Sequence, residues 1–98
     1  MSKVTDSANG ESCTIRIPGV CCFDPSTTVF AHISGVRFGH GTAKKTKLGA
    51  YACFKCHELI DGRAPRPENM TLQDVKTAHY EGTFETLLRL SDKGLVVL

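Results

Sequence analysis

The chain has 98 residues, a formal net charge of +2, two Tyr, five Phe and no Trp. That length supports one domain with a modest core, to which a covalent or metal staple would add stability. No stretch reaches the roughly 18 apolar residues of a membrane span, and the N-terminal MSKVTDSANGESC lacks the apolar run of a signal peptide, so the expected location is the cytoplasm.

Residues 1–12 are polar and aperiodic, which predicts a mobile tail ahead of a single domain over 13–98. In CTIRIPGVCC (13–22), Pro18-Gly19 separates two β-prone runs and predicts a short hairpin with Cys13 and Cys21 near its open ends. Asp24-Pro25-Ser26 reads as a turn, and TTVFAHI (27–33) as a strand reaching His32. SGVRFGHGTAKKTK (34–47) holds three glycines and four basic residues and is expected to be a loop. LGAYAC (48–53) is a short apolar stretch running into Cys53-Phe54-Lys55-Cys56-His57. A helix is expected from about Phe54 to Asp61, with Gly62 as its C-terminal stop.

RAPRPENM (63–70) is a Pro-rich connector. Thr71-x-x-Asp74 resembles a capping box, and opens a helix predicted over about 71–91 with Leu72, Val75, His79, Leu87 and Leu90 on one side. Gly82 weakens the middle of that helix by about 1 kcal/mol relative to Ala. After Gly94, LVVL is apolar and is expected to add a strand.

The string C-x-x-C-H has three chemical readings. Haem attachment requires export to an oxidising compartment, and a redox dithiol requires a βαβ setting; this sequence shows neither. Zinc uses more of the chain. Tetrahedral zinc takes four soft ligands, usually in two pairs, and Cys53 with Cys56 is one pair at knuckle spacing. Cys13 and Cys21 lie seven residues apart in the count between them, too far for a knuckle, but cysteines across a hairpin sit about 5 Å apart. Cys21 is preferred to its neighbour Cys22, since one peptide unit rarely donates two ligands to one tetrahedron. Free, buried thiols are the plain alternative.

Charge is uneven along the chain. Residues 35–66 carry Arg37, Lys44, Lys45, Lys47, Lys55, Arg63 and Arg66 against only Glu58 and Asp61, a local +5. A basic segment around the cysteine motif attracts polyanions. His57 follows the knuckle, and Asp61 lies four residues on, so the two share a helix face and can hold one divalent ion; Mg²⁺ or Mn²⁺ suits phosphate chemistry. His32 ends an otherwise apolar strand, a position at which core histidines are common.

A strand ending in His, a Gly-rich basic loop, and a cysteine knuckle entering a helix with a second His together resemble the ββα-metal, or HNH, nuclease finger. The stretches CTIRIPGVC, VFAHI and ACFKCHELID resemble more closely the YbcO-like family of small prophage-encoded proteins, whose nuclease assignment derives from that HNH likeness. The similarity covers about residues 10–63, and more weakly the last helix.

The resemblance implies an α+β fold: a small zinc-stabilised HNH-like finger over 13–63 with an N-terminal hairpin and an added C-terminal helix. It implies a metal-dependent DNA endonuclease serving phage or prophage DNA processing in the bacterial cytoplasm. His32 matches the general base, His57 the ligand of a catalytic Mg²⁺ or Mn²⁺ with Asp61 as its companion, and Cys13, Cys21, Cys53 and Cys56 a structural zinc site. Lys44, Lys45, Lys47 and Arg63 would hold DNA phosphates. Two departures stand out: Ala31 occupies the place where many HNH fingers carry Asp, and the middle Asn has no match in 33–50, where only His40 offers a substitute. A non-catalytic, zinc-stabilised nucleic-acid-binding module is the alternative function. His79 is expected to be a face residue of the last helix without a role.

Overall fold

A computed structural model of the chain describes residues 3–33 and 48–97. The elements run α1 (Lys3–Asp6), a 3₁₀ turn (Pro25–Thr27), β1 (Val29–His32), β2 (Gly49–Ala52), α2 (Phe54–Ile60) and α3 (Leu72–Asp92). The result is a small α+β architecture.

β1 and β2 pair antiparallel, with Phe30 opposite Tyr51, Ala31 opposite Ala50 and His32 opposite Gly49. Because side chains alternate across a strand, this register sends paired residues to the same face. Ala31, Ala50 and Ala52 join Cys13, Ile15, Ile17, Cys53, Cys56, Leu59 and Val75 in one core; Phe30 and Tyr51 join Val4, Ala8 and Leu90 in the other. β2 is buried along its whole length. Small alanines on the first face leave room for the cysteines and for α2.

The free edge of β2 is closed by Thr14 and Thr86 rather than, among the described residues, by a third strand. Thr14 donates both its backbone N–H (2.8 Å) and its hydroxyl (2.9 Å) to the Tyr51 carbonyl, while the Tyr51 N–H donates to Thr86 Oγ1 at 3.0 Å. The two threonine hydroxyls meet at 3.2 Å, which completes the circuit. Buried backbone groups must find such partners.

The hairpin expected over 13–22 is not formed: the segment contains no strand. Its turn is present, since Val20 and Cys21 N–H both donate to the Ile17 carbonyl, but Thr14 spends its hydrogen bonds on β2 instead of on a partner across the turn. Nor does the segment after Gly94 pair as a strand among the described residues; Leu95 and Val96 pack against the second core. At the other end, where the sequence reads as a polar tail, Lys3–Asp6 is a helical turn. Val4 and Ala8 are buried against the sheet, and Ser7 Oγ meets the Tyr51 hydroxyl at 2.8 Å. Two apolar residues in a polar stretch were enough to join Leu90, Leu95 and Val96 in covering the aromatic face of the sheet.

The capping box at Thr71 is present in full: Asp74 N–H donates to Thr71 Oγ1 and Thr71 N–H to the Asp74 carboxylate. α3 buries Val75, His79, Gly82, Thr83, Thr86 and Leu90. Leu72, predicted for this side, is 54% exposed at the helix start. Gly82 explains itself here. A methyl group at that position would lie 2.9 Å from Ile15 Cγ1 and 3.2 Å from the Thr14 carbonyl oxygen, so the glycine lets α3 lie directly on the 14–15 segment. Its helix-propensity cost is offset by this close packing.

Candidate functional site

The first half of the site is a sulfur cluster. Cys13, Cys21, Cys53 and Cys56 present sulfurs that all lie within 4.8 Å of one another. Sγ of Cys53 and Cys21 are 3.7 Å apart. A zinc ion bonded to four sulfurs at about 2.3 Å requires them about 3.8 Å apart along each tetrahedral edge. The donor set therefore fits a four-coordinate metal.

Local structure builds each arm. Cys53 is the N-cap of α2, where its sulfur accepts from the Cys56 N–H at 3.4 Å, and Cys13 accepts likewise from the Arg16 N–H at 3.5 Å. Both are turns in which the amide three residues on points back at sulfur. Arg16 adopts a left-handed φ of 49° to make its turn, held by a bidentate pair with Glu85 at 2.9 and 2.6 Å. The Pro18-Gly19 turn then returns Cys21 to the cluster.

A hydrogen bond from Cys56 holds the Cys13 thiol down to about 4, and the same bond, with burial, pushes Cys56 up. Burial raises Cys21 to about 11. Close-packed sulfurs that compete for protons are the environment a bound dication would relieve by taking all four as thiolates. Cys22 is exposed and points to Thr27 Oγ1 at 3.5 Å, outside the cluster.

The second half lies where β1 and α2 end. His32, Asp61 and His79 line one cavity of about 360 Å³, with Ile60, Leu72, Val75 and Lys76 completing the wall. The His32 ring is held edge-on to Phe30 with centroids 4.9 Å apart. His57 and Asp61 share a face of α2 as their spacing requires, with Nε2 and Oδ2 3.2 Å apart. The same Asp61 oxygen also meets Arg63 at 3.0 Å. An imidazole and a carboxylate in contact are suitable donors for one hard divalent ion, although the Arg63 guanidinium competes for the carboxylate. Of the four basic residues nominated for phosphate contact, Arg63 is thus occupied with Asp61. Lys44, Lys45 and Lys47, like His40, lie outside the described residues.

His79 is the residue that sequence reasoning missed. It is buried on α3, and its Nε2–H donates to the Ala31 carbonyl at 2.9 Å, one residue before His32. Burial holds its imidazole below the ordinary histidine value. The available signal was its helical spacing from Leu72 and Val75, both of which line the same cavity.

The chain matches the family described as "Putative nuclease YbcO" over residues 2–95. Two relatives carry that description, one from Escherichia coli K12 and one from Enterobacteria phage 82. Each is 41% identical over 64 residues, covering 64% of this chain and 67% of the relative. The fold is similar to the solved structure of "a putative bacteriophage protein from Escherichia coli str. K-12 substr. MG1655", with a TM-score of 0.74 and 32% identity, over 92% of this chain and 98% of that one.

Proposed function

Since the chain belongs to the YbcO family, we propose that it is a metal-dependent DNA endonuclease of the HNH type, with a structural zinc site formed by Cys13, Cys21, Cys53 and Cys56. The observation that carries this reading is the shared cavity: His32 from the end of β1 and Asp61 from the end of α2 face one space. The strand–strand–helix order of β1, β2 and α2 is the order of an HNH finger, with the cluster clamping the start of its helix.

In the proposed reaction His32 is the general base and takes a proton from the attacking water. Phe30 restrains its ring, and His79 fixes the preceding backbone through the Ala31 carbonyl. His57 and Asp61 hold the catalytic cation. When bound there, Mg²⁺ or Mn²⁺ would polarise the scissile phosphate and offset charge on the leaving oxygen. Arg63 exchanges its contact with Asp61 for a DNA phosphate, and Lys44, Lys45 and Lys47 bind neighbouring phosphates; such contacts position the duplex without reading sequence. The process served is phage or prophage DNA processing in the cytoplasm of a bacterial host.

Supercoiled plasmid incubated with the protein and Mg²⁺ or Mn²⁺ tests this. The wild type is expected to nick the plasmid, and His32→Ala to lower the rate by about 10²-fold or more. Gel retardation of equal strength in both proteins, without nicking in either, would overturn the enzyme. It would support instead a non-catalytic, zinc-stabilised nucleic-acid-binding module. That second reading is favoured by Ala31 at the usual Asp position and by the Arg63 contact that occupies Asp61.

A further inference from the structure

The connector between α2 and α3 builds a second cavity beside the one that holds His32. After α2 ends, the Arg63 and Ala64 N–H groups both donate to the Glu58 carbonyl, at 3.0 and 3.3 Å, which turns the chain back on the helix end. Pro65 and Pro67 disfavour helical backbone at the residues before them, so the connector stays open. Met70 N–H then donates to the Pro67 carbonyl at 3.1 Å, and Asn69 takes a left-handed φ of 69° to close that turn ahead of α3. The resulting space is about 390 Å³, within the size range of ligand pockets. Buried Leu59 and Val75 lie beneath it, half-buried Ile60 and Met70 and exposed Leu72 stand around it, and Arg66 is the charged residue of its lining.

Ile60, Leu72 and Val75 also line the His32 cavity, so the two spaces adjoin along a common apolar wall. Leu72 is the exposed part of that wall and belongs to neither core, so packing within the fold does not account for it. Each side of the wall carries a cation: Lys76 in the His32 cavity and Arg66 in its neighbour. Neither has a carboxylate partner among the described residues. The carboxylate in this tract is Asp61, which already meets His57 and Arg63. The cavity between α3 and the 14–18 segment is the opposite case, since Asp74, Glu81 and Glu85 line it and repel a polyanion.

We propose that the second cavity is a nucleobase pocket, and that the substrate class is DNA with an unpaired nucleotide at the cleaved position: a single strand, a flap or a bulge. The base leaves the stack and enters the apolar space past Leu72, while the phosphates on either side of that nucleotide meet Lys76 and Arg66. Taking a base out of closed duplex costs unpairing and unstacking free energy, and a base that is already unpaired avoids that cost. Exposed Leu72 is placed to fill the gap left in the stack, as apolar wedges do elsewhere. The pocket selects the unpaired state and not a sequence, because the side chains around it are apolar and hold no donor or acceptor for a base edge apart from Arg66. That the phosphate beside Lys76 is the cleaved one rests on the nuclease reading above; the base pocket itself does not.

Equilibrium binding of the full chain carrying His32→Ala, which separates binding from cutting, tests the proposal. Three probes of equal length, about 16 nucleotides, are compared: a single strand, its duplex, and a strand of abasic sugar-phosphates. The single strand is expected to bind at least about 10-fold tighter than either of the others. Leu72→Ala, an exposed change to a good helix former, brings the three to within about twofold while leaving the melting curve in place. Phe84→Ala, at an exposed aromatic outside both cavities, leaves the preference intact. Lys76→Met weakens all three probes alike and lowers the slope of log affinity against log salt by about 0.7 on the single strand. Duplex or abasic strand binding as tightly as the base-bearing strand overturns the proposal, and so does a preference that survives Leu72→Ala or is lost in Phe84→Ala. A deoxynucleoside monophosphate that competes as strongly as the strand also overturns it, by making the cavity a small-molecule site. A strand preference in a wild type that does not nick plasmid upholds the pocket and removes the nuclease; nicking without the preference does the reverse.

Discussion

Burial holds the His79 imidazole neutral against the Ala31 carbonyl, and this has a consequence for stability. The unfolded chain protonates histidine near the ordinary value of 6.5, whereas the folded chain resists until lower pH. Below 6.5 the unfolded state binds the extra proton first, so stability is complete above that pH and falls as acid is added through the window down to the folded value. His79→Gln retains a donor for Ala31 and does not titrate. The wild type is expected to lose melting temperature between pH 6.5 and 5 relative to this variant; parallel curves would show that His79 does not carry the dependence. The sequence placed His79 on the correct side of its helix. Its burial and its bond to a residue 48 positions away depended on how α3 crosses the sheet.

At the scale of elements, α2 and α3 were legible because local chemistry dictates their ends. Cys53 caps α2, Gly62 follows it with a φ of +78°, and Thr71 and Asp74 cap α3 reciprocally. These signals act over three or four residues, within reach of a sequence reading. The segment over 13–22 was not legible in the same way. Its alternation suits a strand, but the hydrogen bonds of Thr14 go to Tyr51, far along the chain. Gly82 belongs to the same junction. Its replacement by Ala improves helix propensity by about 1 kcal/mol, yet forces a methyl onto Ile15 and the Thr14 carbonyl. Gly82→Ala is expected to destabilise the chain by about 1–3 kcal/mol in urea unfolding, against the propensity rule. A neutral or stabilising result would mean that the 14–15 segment gives way readily.

For the molecule as a whole, the sulfur cluster adds to the bonds of Thr14 with Tyr51 and to the shared core a further tie between the N-terminal segment and α2. Cys13 and Cys21 flank the irregular N-terminal segment, while Cys53 and Cys56 open α2, so a metal there ties that segment to α2. Purified protein is expected to carry about one zinc per chain, measured by elemental analysis. Cys21→Ser should reduce zinc below half an equivalent and lower the melting temperature by about 10 °C or more, whereas Cys22→Ser should leave both unchanged. The reverse pattern would exchange the two neighbouring cysteines in the site. No described helix is long and apolar enough to cross a membrane.

The sequence by itself determined the pieces with local causes: the C-x-x-C at the head of a helix, the His57–Asp61 spacing, the capped C-terminal helix and the family likeness. Tertiary structure alone decided which pieces meet. It brought the sulfurs of Cys13 and Cys21 to those of Cys53 and Cys56, placed Asp61 in the cavity of His32, and brought His79 to the Ala31 carbonyl. The physical reason is the range of the forces. Capping and helix periodicity act between residues a few positions apart, so a linear reading contains them. Metal geometry, buried hydrogen bonds and close packing act between residues that only the folded chain brings together.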